Sequence, residues 1–159
     1  MSYLAAGRAL EALGNFEQAL DQYFMAMLDP PSTPELELRM IGLLERLDRR
    51  DEARELAAKL PARGVDLAGS WFDLGVAYKG QGQLAEAIYA VAQCVRLEPN
   101  QGDGWYNLAC YRCLAGDAAG SLEALGFAIQ LASENAKVAV EDADLASIGS
   151  DAKFLAITA

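Results

Sequence analysis

Small residues recur along this chain at a fixed step, and a step of that length leaves few folds open. Ala19, Ala53, Ala87 and Ser121 stand 34 residues apart. Gly14, Asp48, Gly82 and Gly116 keep the same step, as do the large apolar residues Leu4, Leu38, Phe72 and Tyr106. Trp71 and Trp105 are one step apart, Tyr3 lies two steps before Trp71, and Pro31 and Pro99 are two steps apart. Such a period marks a repeat architecture, in which each unit is one supersecondary element that buries its apolar face only by stacking on its neighbours. Alanine and leucine are abundant and β-branched residues sparse, so the unit is helical. Each unit reads as two amphipathic helices joined by a glycine-marked turn. Helices are expected over 2–14, 17–28, 34–47, 51–60, 67–81, 84–96, 102–115 and 118–132. Pro30-Pro31, Pro61 to Gly64 and Pro99 to Gly104 separate the units, and none is long enough to be a domain linker.

Trp71-Phe-Asp-Leu74-Gly75-Val-Ala-Tyr78 resembles the opening of the tetratricopeptide (TPR) repeat, Trp-x2-Leu-Gly-x2-Tyr, and Ala87 and Pro99 fall at that family's small-residue and closing-proline positions. Trp105, Leu108, Ala109, Gly116, Leu125 and Ala128 form a looser match. Tyr3, Gly7, Gly14, Ala19, Tyr23, Ala26 and Pro31 form another. The second unit keeps Met40, Ile41, Leu44, Ala53 and Leu60 but lacks the aromatic and the glycines. The resemblance implies an all-α, right-handed superhelical solenoid of about four helix hairpins, over residues 1–33, 34–67, 68–101 and 102–133. The segment 134–159 breaks the period and is similar to the tail that follows the last repeat in many bacterial members. Leu145, Ile148, Phe154, Leu155 and Ile157 would fold back as a C-terminal cap over 102–115 and 118–132. Ala19, Ala53, Ala87 and Ser121 should be buried where helices cross. Tyr3, Trp71 and Trp105 should fill space against the preceding helix.

Composition narrows the function. The chain of 159 residues is 53% hydrophobic and 23% charged, as expected of a folded protein. Its net charge is -10, which opposes nucleic acid and anionic membranes and favours a neutral or basic partner. There is no histidine, so neither a Ser-His-Asp nor a Cys-His arrangement exists, and no Gly-x4-Gly-Lys-Ser/Thr phosphate loop occurs. The expectation is a protein that is not an enzyme and needs no cofactor. Cys110-x-x-Cys113 lies on one helix face, yet a structural zinc site wants two more ligands and Cys94 sits at a core position. All three cysteines read as small apolar residues, with no metal bound. Asp142, Asp144 and Asp151 lack the spacing of a calcium loop and read as caps. Arg46, Arg49, Arg50, Arg54 and Arg63 alternate with acids, as on a solvated helix face. No apolar run is long enough to cross a membrane. The opening residues are interrupted by Arg8 and Glu11 and do not form a signal peptide, so a cytoplasmic location is expected.

In the TPR family the first helix of each unit lines a concave face, which implies a groove here built from Leu38, Phe72 and Tyr106, from Arg8, Arg39, Asp73 and Asn107, and from Val76, Lys79 and Cys110. An apolar ladder beside a polar one suits a peptide. The carboxylate-clamp pattern of chaperone-binding members is not matched, because Asp73 stands where an asparagine is needed. The expected function is an adaptor or scaffold that holds a protein or peptide partner in this groove, centred on Phe72 and Tyr106. The alternatives are a dedicated chaperone or assembly factor for a secreted or filament-forming subunit, and a structural homo-oligomer joined through its N-terminal repeat.

Overall fold

A computed structural model describes residues 2–29 and 32–159, so the closing proline Pro31 and the Pro30-Pro31 break lie outside the described residues. The chain divides into two compact units, residues 1–70 and 71–159. Among the described residues the regular structure is helical, without strands.

The first unit holds two hairpins. Helices α1 (Tyr3–Ala12) and α2 (Phe16–Met27) form one, and α3 (Pro34–Arg46) and α4 (Arg50–Lys59) the other. Thr33 Oγ1 accepts from Leu36 N at 3.3 Å and Pro34 occupies the first turn, so the start of α3 is set locally. α3 packs on both α2 and α4, and nearly all of it from Leu36 to Leu44 is buried. Ala19 and Ala53 have almost no exposed surface. A Cβ on Gly7 would collide with the Tyr23 ring, which shows how closely α1 and α2 approach.

In the second unit α5 (Leu67–Gly80, entering from the last residues of the first unit), α6 (Leu84–Leu97), α7 (Gly102–Leu114) and α8 (Ala118–Leu131) form two more hairpins. A Cβ on Gly75 would collide with Val91, and Ser121 Oγ donates to the Ala109 carbonyl at 2.7 Å. Ala87 and Ser121 are fully buried. The tryptophan rings meet aromatics within their own hairpins. Trp71 meets Tyr89 edge-on at 5.6 Å, and Trp105 lies on Phe127 at 4.7 Å. Tyr3, expected to fill such a space, stands about half exposed instead.

One turn serves all four hairpins. Gly14, Asp48, Gly82 and Gly116 adopt φ of 78°, 59°, 75° and 85°. The next residue's N–H reaches back five positions, as Asn15 N does to Leu10 O at 2.9 Å and Arg49 N to Leu44 O at 2.8 Å. This left-handed closure satisfies carbonyls that the helix end would otherwise leave unpaired.

Beyond α8 the chain continues as α9 (Asn135–Glu141), a 3-10 segment (Ala143–Ile148) and α10 (Ala152–Thr158). The 3-10 segment packs on α7, and α9 and α10 on α8. Leu145, Ile148 and Phe154 are buried, each adding about 1.5–3 kcal/mol by leaving water. Leu155 does not join them. It is 56% exposed, because α10 turns Phe154 inward and its next residue out.

Candidate functional site

The sequence-derived site residues separate into two groups. Arg8, Leu38 and Arg39 belong to the first unit. Phe72, Asp73, Val76, Lys79, Tyr106, Asn107 and Cys110 belong to the second.

In the first unit two of the three are withdrawn from the surface. Leu38 is fully buried, so it is core and not groove lining. Arg39 is also buried, because Glu11 and Glu35 receive its charge. Its Nη1 donates to Glu11 Oε2 at 2.9 Å and its Nε to Glu35 Oε1 at 2.9 Å. Arg8 Nη2 reaches the same Glu35 oxygen at 2.7 Å, and Tyr23 OH donates to Glu11 Oε2 at 2.5 Å. Burial works to raise the Glu35 pKa, but the bonds and charges of Arg39 and Arg8 outweigh it and hold the carboxyl below its ordinary range. Burial, then the Glu11 charge, push the Tyr23 phenol up, so it remains a donor. Two arginines and two glutamates balance, and the network braces α1 against α3.

Most members of the Arg46–Arg63 cluster pair with acids. Arg49 Nε meets Glu52 at 2.7 Å, Arg54 meets Asp51 at 3.2 Å, and Arg63 pairs with the buried Glu37. Arg46 lies over the Phe16 ring at 4.6 Å. The cluster is a solvated face tied to the rest of the unit through Arg46, Arg63 and Arg49, the last also meeting Glu17 of α2 at 3.5 Å.

In the second unit α5 presents Phe72 half-buried, Asp73 exposed and Val76 46% exposed. The residues on α7 are occupied by the chain's own tail. Tyr106 OH donates to Asp142 Oδ2 at 2.8 Å, and the Cys110 thiol lies 3.7 Å from the same oxygen. Cys113 Sγ meets Ser147 Oγ at 3.1 Å, and Lys79 Nζ pairs with Asp144 Oδ2 at 3.4 Å. Asp142 Oδ1 also accepts from Asp144 N at 2.9 Å, which caps the 3-10 segment. Asn107 Nδ2 donates to Tyr111 OH at 3.5 Å, inside α7.

Burial foremost, then the bond to Asp142, push the Tyr106 phenol up, and burial followed by the two aspartates does the same to the Cys110 thiol. Both hold their protons and act as donors to the carboxylates. Cys110, Asp142 and Asp144 bring one potential ligand atom each within 4.8 Å of one another. That trio is already engaged: the thiol with Asp142, and Asp144 with Lys79. The chemistry of the place is recognition of carboxylates by neutral donors and one ammonium. Sequence reasoning missed Glu35 and the bonds that join Glu11 to Tyr23 and Arg39, and it treated Asp142 and Asp144 as caps alone. The signal for the aspartates was their place in the fold-back tail.

Paired helices, left-handed turns and buried small residues at a constant step define a helical-repeat protein. The family model "Tetratricopeptide repeat" matches residues 68–101. A TPR repeat-containing protein of Pseudomonas aeruginosa is 38% identical over 66 residues, and the match takes in 42% of this chain and 63% of that relative's length. Among solved structures, MamA aligns with a TM-score of 0.53 at 17% identity, over 96% of this chain and 87% of its own. YrrB, a TPR protein with an unusual peptide-binding site, aligns with a TM-score of 0.52 at 16% identity, over 98% and 80%. The chain is similar to TPR proteins in the matched repeat at 68–101 and in its fold. The two structural likenesses speak for the fold alone. No helix among the described residues is long and apolar enough to cross a membrane.

Proposed function

We propose that this chain is a protein-interaction adaptor that catalyses nothing itself and takes a protein or peptide partner on the first helices of its second unit. The observation that carries the reading is the uncovered face of α5, where Val76 is 46% exposed beside half-buried Phe72 and exposed Asp73. Apolar anchors at helical spacing next to a carboxylate suit a neutral or basic segment. The test is a tagged pull-down with mass spectrometry, comparing the wild type with the Phe72→Ala, Val76→Ala double variant. The wild type should recover a specific partner and the variant should lose it while keeping its helicity. Equal recovery by both would refute this face.

One observation favours a second reading, self-association. The first hairpin leaves Tyr3, Leu13, Phe24, Met25 and Leu28 exposed. Several large apolar side chains on one hairpin suit a contact between copies. Sedimentation of wild type against Phe24→Ser, Leu28→Ser would reveal a dimer lost in the variant; a monomer in both cases rules it out.

A further inference from the structure

We propose that Tyr106, Cys110 and Lys79 form a receptor for a short acidic segment, and that residues 142–148 of this chain are its resident, exchangeable occupant. The inference rests on the adaptor reading and gives the α7 side of that face its partner chemistry. The occupant shows what the face recognises. Two carboxylates two residues apart are received separately, Asp142 by the Tyr106 hydroxyl at 2.8 Å with the Cys110 thiol beyond, and Asp144 by the Lys79 ammonium at 3.4 Å. Leu145 and Ile148 follow as apolar anchors, both buried, and Ser147 meets Cys113.

This pattern is the reverse of what net charge implies. An acidic chain should repel an acidic partner at long range, yet at this face short-range donors accept carboxylates, and charge-assisted bonds outlast long-range repulsion in salt. Along the chain the segment is flanked by two short helices, α9 before it and α10 after it. An occupant tethered in this way holds its place through high local concentration, even with modest intrinsic affinity. A partner bearing Asp-x-Asp followed by an apolar residue would therefore compete on equal chemistry, and its apparent affinity would scale with the fraction of chains whose own segment is released.

The test uses the 159-residue chain and a fluorescent synthetic peptide with the sequence of residues 140–150, read by anisotropy. Three proteins are compared: wild type, Asp142→Ala with Asp144→Ala, and that double variant carrying Tyr106→Phe as well. Circular dichroism checks that each is folded. A Leu145→Ala chain releases the segment by a different route if the aspartate variant is unstable. The double variant should bind the peptide at least tenfold more tightly than the wild type, and Tyr106→Phe should reverse most of that gain. A peptide with asparagine in place of both aspartates should bind at least tenfold more weakly. Equal affinity for wild type and the released chains, no binding by any of them, or indifference to the asparagine exchange would each overturn the proposal. None of these measurements touches Phe72 or Val76 or needs a cellular partner. Failure of the adaptor reading is scored separately, by the pull-down.

Discussion

Arg39 carries its charge into the first unit with almost no exposed side chain, and it does so because Glu11 and Glu35 receive it. Removing one member of such a buried pair leaves the other charged and unmatched. Arg39→Ala should therefore cost about 3–5 kcal/mol in urea denaturation. A loss below about 1 kcal/mol would mean that the pair contributes no more than an exposed one. Asp48 is a milder case. It holds φ of 59° where the matching turns use glycine, and its pair with Arg50 is exposed. A left-handed backbone is costly for any residue with a Cβ, and glycine recovers part of that cost while losing some to unfolded-chain entropy. Asp48→Gly should raise stability by up to about 1 kcal/mol, and a clear loss would show that the Asp48 side chain is itself needed.

At the scale of elements, the hairpins depend on how closely paired helices approach. Gly75 lies against Val91 with no room for a methyl group, and Ala87 is fully buried at the same crossing. Gly75→Ala should push α5 from α6 and cost about 1–3 kcal/mol, visible as a lower melting temperature. An unchanged melting temperature would mean that the crossing relaxes freely. These positions were legible beforehand because the constraint is local and repeats every 34 residues: a small residue where helices cross, and a glycine at three of the four positive-φ hairpin turns, with Asp48 at the fourth. The helix bounds also agreed within a residue or two, for the same reason. What escaped the period was set by residues far apart in sequence. Leu38 was assigned to a groove by its place in the repeat, but the second repeat lacks the usual aromatic and glycines, and α3 is enclosed by α2 and α4. Arg39 and Glu11 are 28 residues apart, and Tyr106 and Asp142 are 36 apart. No local pattern announces such partners. The tail was legible in its apolar residues Leu145, Ile148 and Phe154, whereas the phase of a short helix such as α10 was not, and Leu155 was misplaced.

For the molecule as a whole, the tail is proposed to serve solubility as well as recognition. It covers α7 and α8 with Leu145, Ile148 and Phe154, and helical arrays need polar ends to remain dispersed. A chain ending at Ser133 should bind a hydrophobic dye and aggregate, while a monodisperse product of equal melting temperature would show that the tail shields nothing. The repeat frame itself is silent on the partner, since repeats of one shape serve many ligands. The central claim therefore rests on the face of α5. The most direct measurement is calorimetric titration of the recovered partner into wild type and into the Phe72→Ala, Val76→Ala variant. The account predicts at least tenfold weaker binding, about 1.4 kcal/mol or more, with an unchanged helical spectrum. An affinity within about twofold of wild type, in a variant that is equally well folded, would contradict it.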